Sequence, residues 1–242
     1  MILSRLHPIE EAIRSRPAEV EWVLLDSGRR DRRTGELARL CRERHVPVRF
    51  GTREALDRLA RSHQGAVARM AARGYVSEDE ALAGKKGSRL VIVLDGIEDP
   101  QNLGATLRVA DGVGAAVVLP ERGSAPLSEA ASRSSAGAME RVPVARVGNL
   151  RRFLDRLKEQ GFRVVGLDAD GTDIYRVDLT GDLAIVLGAE GRGMRRLVRE
   201  GCDTVARLPM KGALASLNVA AAAAAAAYEA LRQRDFSARD GD

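Results

Sequence analysis

Cysteine and histidine are scarce in this chain of 242 residues. Its two cysteines, Cys41 and Cys202, are far apart and neither belongs to a Cys-x-x-Cys pair, so neither a disulfide framework nor a zinc cluster is expected. The three histidines are His7, His45 and His63, and none lies beyond residue 63. A catalytic centre in the C-terminal part would therefore work without Ser-His-Asp, Cys-His or His-metal chemistry, and no metal is expected.

Long apolar segments are also missing. The longest candidate is the alanine tract at 220–227, which is far shorter than the roughly 20 residues that span a bilayer. The N-terminal sequence MILSRLHPIEEAIRS has no apolar core of the kind that a signal peptide needs. We therefore expect a cytoplasmic protein that does not interact with a membrane.

Lysine is rare as well, but arginine is abundant and the formal net charge is +5. The planar guanidinium group suits phosphate, so this composition favours a nucleic-acid partner. Four arginines crowd the charged segment 28–35, namely Arg29, Arg30, Arg32 and Arg33. They are candidate phosphate contacts, although charge runs are most often solvated faces and a GC-rich genome also replaces lysine with arginine.

The first 70 residues alternate helix and strand patterns. The patterns predict helices at 8–15, 36–44 and 53–61, strands at 20–25, 46–50 and 65–68, and a loop at 28–35. Residues 71–88 are polar and end in a glycine-rich stretch, which is typical of a linker. We predict a small α/β domain at 1–72, a linker at 73–88 and a second domain at 89–242.

The second domain alternates strands with helices more regularly. Strands are predicted at 90–94, 115–119, 142–147, 163–167, 183–187 and 204–208, and helices at 102–113, 127–138, 149–160, 194–201 and 216–233. This alternation predicts an α/β domain with a mostly parallel sheet covered by helices on both faces. Ligands in such folds bind beyond the carboxyl ends of the strands.

Three motifs fall at those strand ends. In the first, Asn102 is predicted as a helix N-cap, and the stem of Arg108 is predicted to pass over Gly104 towards it. Leu103 and Leu107, with Ala110, form the opposing apolar stripe. This arrangement would make an anion clamp at the start of a helix, and an ordinary cap beside a surface arginine is the alternative.

The second and third motifs surround loops. Gly188-Ala189-Glu190-Gly191-Arg192-Gly193 follows an apolar strand, but it has neither the third glycine of a dinucleotide fingerprint nor the Gly-Lys-Ser/Thr of a P-loop. Leu208-Pro209-Met210 precedes Ser216-Leu217-Asn218, where Ser216 or Asn218 is predicted to cap the alanine-rich helix. Taken singly, each motif also fits a tight turn or a capped packing helix.

Taken together, the three motifs resemble the SpoU (TrmH-type) family of RNA 2′-O-ribose methyltransferases. The resemblance also covers the N-terminal part, where His7 to Ala12 and Ser62 to Ala68 are similar to the family's substrate-binding domain. It implies an α/β fold with a trefoil knot in the C-terminal domain, S-adenosylmethionine as methyl donor, an RNA substrate and a homodimer. The branch it indicates acts on a guanosine of 23S ribosomal RNA.

The resemblance also assigns roles to residues. The residues that match the family's active-site positions are Asn102, Arg108, Glu190, Ser216 and Asn218. Those that match or adjoin its cofactor contacts are Leu167, Gly188, Gly193, Leu208, Met210 and Leu217. His63 and Gln64, in the N-terminal part, join the arginines as candidate RNA contacts. The sequence departs from the family pattern at Ala220, where a hydroxyl residue is common, and at Leu208, where isoleucine is common.

Other functions remain open from the sequence. The same chemistry on transfer RNA, or at an antibiotic-resistance site of ribosomal RNA, is the main alternative. A non-catalytic RNA-binding protein with a relic site, or a nucleotide-dependent oxidoreductase on a similar sheet, is a weaker one.

Overall fold

A computed structural model describes residues 2–29, 31–70, 74–213 and 216–237. Its contacts divide the chain into two compact units. The first, called the N-terminal unit below, contains Met1–Gly74 together with Leu127–Arg141. The second, called the C-terminal unit, contains Tyr75–Pro126 and Val142–Asp242.

The N-terminal unit is built on a four-stranded sheet in the order β1-β4-β2-β3. β2 and β3 are parallel, and the other neighbouring pairs are antiparallel. The strands are β1 (Ile2–Leu3), β2 (Val20–Asp26), β3 (Val48–Gly51) and β4 (Ala66–Met70). The helices are α1 (Leu6–Ser15), α2 (Arg32–Glu43), α3 (Arg53–Leu59) and α6 (Glu129–Ser135). Ile9, Ala12 and Ile13 form the helical stripe by which α1 enters the core.

The charged loop predicted at 28–35 is shorter than expected, so that prediction is wrong in its second half. The Asp31 carboxylate accepts a hydrogen bond from the Thr34 backbone N–H at 2.9 Å and caps α2. Arg32 and Arg33 therefore lie in the first turn of a helix. Arg30 lies outside the described residues.

The C-terminal unit contains a six-stranded sheet in the order β10-β8-β9-β5-β6-β7. Every neighbouring pair is parallel, which confirms the predicted α/β class. The strands are β5 (Leu90–Asp95), β6 (Ala116–Pro120), β7 (Val144–Val147), β8 (Arg163–Asp173), β9 (Leu183–Gly188) and β10 (Thr204–Arg207). All six residues of β5 are buried, as expected for a central strand covered on both faces.

Five helices accompany this sheet in the described part of the C-terminal unit. They are α4 (Glu78–Ala81), α5 (Pro100–Val113), α7 (Leu150–Glu159), α8 (Arg196–Arg199) and α9 (Val219–Ser237). Leu103, Leu107 and Ala110 of α5 are all fully buried, which confirms the predicted apolar stripe. The helix predicted at 194–201 is reduced to the single turn of α8.

The N-cap predicted at Asn102 is wrong. Asp99 caps α5, because its carboxylate accepts a hydrogen bond from the Gln101 backbone N–H at 2.9 Å and Pro100 occupies the first helical position. Asn102 instead lies in the first turn of α5, with its side chain available for tertiary contacts.

The two observed units differ in two ways from the domains predicted from the sequence. The structure assigns 127–141 to the N-terminal unit and 75–88 to the C-terminal unit. Val76 forms a parallel bridge to Ala145, and Ala81 and Leu82 join the core of the C-terminal unit. The domain division at 1–72, 73–88 and 89–242 stays a prediction, and so does the knot, since strand order does not define threading. No described helix is long and apolar enough to cross a membrane.

Candidate active site

Asn218 joins all three sequence motifs through one side-chain amide. Its Nδ2 donates to Asn102 Oδ1 at 2.8 Å and to Glu190 Oε1 at 2.9 Å. Its Oδ1 accepts from the Ala220 backbone N–H at 3.0 Å and so caps α9. Both amide hydrogens and the carbonyl oxygen are thus engaged, which fixes the orientation of the amide. Residues that are 116 and 28 positions away from Asn218 are brought together at one point.

The glycine motif forms a tight turn whose conformation requires glycine. A Cβ atom on Gly188 would lie 2.0 Å from the backbone carbonyl carbon of Gly193. Gly193 donates its backbone N–H to the Ala189 carbonyl at 2.8 Å, and Gly191 and Gly193 both have positive φ angles, of 76° and 63°. The backbone therefore folds back onto the end of β9 and presents Glu190 at the tip of the turn.

Asp95, which belongs to none of the three sequence motifs, anchors the residues that follow this turn. Its side chain is fully buried at the end of β5 and accepts hydrogen bonds from the Arg195 backbone N–H at 2.7 Å and from Arg195 Nε at 2.6 Å. The available signal was a lone carboxylate closing the apolar run LVIVLD at the end of a strand.

A cavity of about 370 Å³ lies beside the amide cluster. Its volume falls within the range that small-molecule sites occupy. All six residues predicted to contact a cofactor line it, and so do Glu190 and Ser216 from the predicted catalytic set; the six are Leu167, Gly188, Gly193, Leu208, Met210 and Leu217. The wall is therefore largely apolar side chain and glycine backbone.

The described cavity wall contains one aspartate, Asp168, whose carboxylate is paired with an arginine side chain. Asp168 lines the cavity, and its Oδ2 accepts from the Arg199 guanidinium at 2.6 Å. Its Oδ1 accepts from the Ala169 backbone N–H at 2.8 Å. Asp170 binds the other arm of the same guanidinium at 2.8 Å. The carboxylate of Asp168 is thus fixed in place as a hydrogen-bond acceptor at the cavity edge.

Arg108 differs from the other predicted catalytic residues. It is exposed on α5, and the structure shows no hydrogen bond or ion pair for it among the described residues. The approach of its stem to Asn102 stays a prediction. Ser216 lines the cavity but does not cap α9, since that role belongs to Asn218. The structure thus joins Asn102, Glu190 and Asn218 and leaves the guanidinium of Arg108 available to an outside anion.

The predicted RNA contacts that are described all lie in the N-terminal unit. Arg29 and Gln64 are exposed, and Arg32 and Arg33 lie on the solvent side of α2. His63 is buried, with only 7% of its surface exposed. Its Nδ1 accepts from the Gly65 backbone N–H at 3.0 Å, and its Nε2 lies 3.1 Å from Asp57 Oδ1. The imidazole ring therefore stabilises the turn at residues 63–65 and is too buried to be an open RNA contact.

Thiol and metal chemistry find no support among the described residues. Burial, reinforced by the neighbouring Asp203 carboxylate, raises the pKa of Cys202 to about 11, and burial raises that of Cys41 to about 11. Both thiols stay protonated at neutral pH and are poor nucleophiles. In the described ranges, no group of three or more His, Cys, Asp or Glu side chains is arranged to hold a metal ion.

A ligand cavity at the carboxyl ends of a parallel sheet, bordered by a hydrogen-bonded amide cluster, places the C-terminal unit among the α/β proteins that bind a small molecule at this edge. The chain belongs to the SpoU rRNA methylase family, whose model matches residues 89–228. Residues 6–76 match the model of the RNA 2′-O ribose methyltransferase substrate-binding domain. The family predicted from the three motifs is confirmed.

Curated relatives match almost the whole chain. The 23S rRNA (guanosine-2′-O-)-methyltransferase RlmB of Pseudomonas syringae pv. tomato is 42% identical over 235 residues, which are 95% of this chain and 94% of that protein. The enzyme of the same name from Vibrio cholerae is 43% identical over 240 residues, with 95% of each chain covered.

Solved structures match just as broadly. The SpoU methyltransferase AviRb of Streptomyces viridochromogenes is similar with a TM-score of 0.84 and 26% identity, over 98% of this chain and 90% of that one. A second structure of AviRb contains the cofactor AdoMet and gives a TM-score of 0.80 with 25% identity, over 96% of this chain and 89% of that one.

Proposed function

We propose that this protein methylates the 2′-oxygen of a guanosine ribose in 23S ribosomal RNA and uses S-adenosylmethionine as the methyl donor. The observation that carries the proposal is the Asn218 amide, which joins Asn102 and Glu190 beside the glycine-lined cavity. The relatives named for this reaction cover 95% of the chain, which supports the substrate. Ribosomal RNA as substrate supports a cytoplasmic location for the reaction.

The cavity fits the methyl donor by its volume and its lining. Gly188 lets the turn close on itself, because a Cβ there would lie 2.0 Å from the Gly193 carbonyl carbon, and the closed turn forms one wall of the cavity. Leu167, Leu208 and Leu217 supply apolar wall for an adenine ring, and the fixed carboxylate of Asp168 can accept hydrogen bonds from ribose hydroxyls. When bound, S-adenosylmethionine supplies a methyl group on a sulfonium, which leaves for the ribose oxygen as the hydroxyl proton departs.

Arg108 has a charge-stabilising role in this proposal. A guanidinium stays protonated in proteins, so it is unsuited to take the hydroxyl proton, which passes to an RNA phosphate or to water. Because Arg108 is exposed and has no ion-pair partner among the described residues, its charge is free to bind the phosphate next to the target ribose. There it orients the ribose and stabilises negative charge that develops on the 2′-oxygen.

Asn102, Glu190 and Asn218 position the substrate. Their mutual hydrogen bonds join the first turn of α5, the glycine turn and the start of α9, and Asn218 and Glu190 are exposed, so the cluster is accessible to an incoming macromolecule. Ser216 forms the third edge of the same cavity. Fixing the attacking oxygen against the methyl group supplies rate through orientation.

The test is methyl transfer from tritiated S-adenosylmethionine to ribosomal RNA by the wild type and by Arg108→Ala. We expect the variant to lose about 2–4 kcal/mol of transition-state stabilisation, the scale of one preorganised donor, while calorimetry shows unchanged cofactor binding. Arg152→Ala removes another exposed arginine of the same unit and serves as the control. Near-normal turnover by Arg108→Ala would exclude this role.

The nucleotide and the RNA class need a separate measurement. Mass-spectrometric mapping of ribose methylation in cells with and without the gene should show one 23S guanosine that loses its methyl group. Loss of a methyl group from transfer RNA alone would favour the alternative substrate. The similarity to a tRNA-modifying enzyme of the TrmH/SpoU type from A. aeolicus covers only 64% of this chain, so we favour ribosomal RNA. The homodimer is part of the proposal and is tested by light scattering.

A further inference from the structure

The N-terminal unit contains an open cleft of about 880 Å³ that is unusually rich in arginine. Arg5, Arg29, Arg53 and Arg61 line it, and they come from four separate segments of the sequence. Arg29 binds Asp31 through its Nε. No carboxylate among the described residues forms an ion pair with Arg5, Arg53 or Arg61, and all three are exposed.

The two carboxylates in the cleft wall are already engaged. Asp26 Oδ1 accepts a hydrogen bond from the Gly28 backbone N–H at 2.9 Å. Asp57 Oδ1 lies 3.1 Å from His63 Nε2, and because Gly65 donates its N–H to His63 Nδ1, the proton of the neutral ring lies on Nε2 and is donated to Asp57. The described wall therefore carries surplus positive charge, with three guanidinium groups that form no ion pair among the described residues, and this charge is suited to phosphate.

The His63 turn places an amide in this charged cleft. Gln64 adopts a left-handed backbone conformation with φ 47°, which is uncommon outside glycine. Gly65 follows with φ 87°, and a Cβ on it would lie 2.6 Å from Arg29 Cδ, so glycine is needed for the arginine stem to cross the turn. The buried His63 ring holds this conformation and leaves the Gln64 side chain exposed at the cleft. A carboxamide offers both donors and an acceptor to a base edge.

We propose that this cleft binds one unpaired nucleotide of the RNA substrate, with Arg53 and Arg61 on its flanking phosphates and Gln64 on its base edge. Sequence-specific RNA recognition targets unpaired nucleotides, whose bases can stack on arginine planes. The described cleft wall contains no Phe, Tyr or Trp, and the ring of His63 is buried, so the arginines are the available stacking groups. The inference rests on the proposed function, because it names the part of the RNA substrate that this unit holds.

The test measures binding of the full chain to a short RNA hairpin with unpaired loop nucleotides and to a fully paired RNA duplex of equal length. Arg53→Ala/Arg61→Ala should weaken hairpin binding about tenfold or more. It should also reduce the slope of log K against log salt by about 1.4, since each phosphate contact to single strands contributes about 0.7. The charge-matched control is Arg42→Ala/Arg44→Ala, which removes two exposed arginines outside the cleft lining and should change the affinity less than about twofold. Equal weakening by both double variants, or none by the cleft variant, would overturn the proposal.

Gln64→Gly tests base recognition separately, because glycine tolerates the left-handed conformation while the substitution removes the side chain that carries the carboxamide. We expect it to reduce the preference for hairpin over duplex while the salt slope stays unchanged, and an unchanged preference would contradict the role of Gln64. Thermal unfolding confirms that each variant is folded. Cleft-dependent binding without methyl transfer would refute only the proposed function. Methyl transfer by Arg53→Ala/Arg61→Ala with wild-type KM and RNA affinity would refute only the cleft.

Discussion

The amide cluster of the C-terminal unit and the arginine cleft of the N-terminal unit differ in how their polar side chains are paired. In the amide cluster, the Asn218 side chain has a protein partner for every hydrogen-bonding atom. In the cleft, Arg53 and Arg61 have no ion-pair partner among the described residues. A site that must hold reacting atoms in register gains from internal bonds, whereas a site that must attract a polyanion gains from charges left open to solvent.

The largest predicted effect is a loss of cofactor affinity when the glycine turn beside the cavity is changed. Gly188→Ala places a Cβ within 2.0 Å of backbone, so the turn has to move as a whole. We expect S-adenosylmethionine affinity, measured by calorimetry, to fall by more than about 100-fold, because the displaced backbone is itself the cavity wall. Gly212→Ala has open space around its Cβ and should bind the cofactor normally. Normal binding by Gly188→Ala would show that the cavity wall is not this backbone.

A second prediction separates the bridging role of Asn218 from its capping role. Asn218→Ala removes the donor of Asn102 and Glu190 as well as the cap of α9, and we expect kcat to fall about 100-fold through lost orientation. Asn149→Ala is the matched control, since Asn149 caps α7 by accepting from the Arg152 backbone N–H at 3.1 Å and lies outside the cavity lining. Both variants should lose about 1 kcal/mol of folding free energy. Equal turnover in the two would mean that Asn218 is only a cap.

A third prediction concerns the stability of the C-terminal unit towards acid. Burial opposes the charge of Asp182, but hydrogen bonds from the Arg89 side chain and from the Gly87 and Arg89 backbone outweigh it and lower its pKa to about 2. The group therefore contributes stability above its unfolded pKa of about 3.8, and this contribution is lost as pH falls towards 2. Asp182→Asn should lower the free energy of unfolding by about 2 kcal/mol at neutral pH, with the difference from wild type shrinking below about pH 4.

Asp178 provides the control for that measurement. Its pKa is also lowered to about 2, chiefly by the Thr180 hydroxyl and then by Arg163, but its side chain is 55% exposed. Solvent screens such a pair, so Asp178→Asn should cost much less than Asp182→Asn in urea unfolding. Equal costs would show that burial at Asp182 adds nothing.

The smallest predicted effect is the salt dependence of cofactor binding, which should be weaker than the salt dependence of RNA binding in the arginine cleft. S-adenosylmethionine binding should change less than about twofold between 50 and 200 mM salt, because the cavity wall is mostly apolar and the carboxylate of Asp168 is already paired. Hairpin RNA binding should fall about tenfold or more over the same range, because phosphate contacts release counterions. Parallel titrations by calorimetry and fluorescence anisotropy check this. Similar salt dependence in both would remove the distinction between the two sites.

Much of the C-terminal unit could be predicted from local patterns. Strands with central apolar runs, such as 90–94 and 183–187, differ from the observed β5 and β9 by one residue, because burial on both faces leaves a strong signal. Helix starts are predicted less accurately, since the cap of α5 is Asp99 and not Asn102. Both side chains can cap a helix in isolation, and Pro100 at the first helical position is the local signal that favours Asp99.

The sequence by itself determined the α/β class, the family and six residues that line the cavity, because period, glycine positions and motif order are local properties of the chain. Only the tertiary structure decided that one amide would join segments 116 residues apart, that Asp95 would anchor the glycine turn, and that four scattered arginines would share a cleft. The physical reason is that strand order and helix packing set these distances. A contact between side chains that are remote in sequence leaves no local pattern from which it could be predicted.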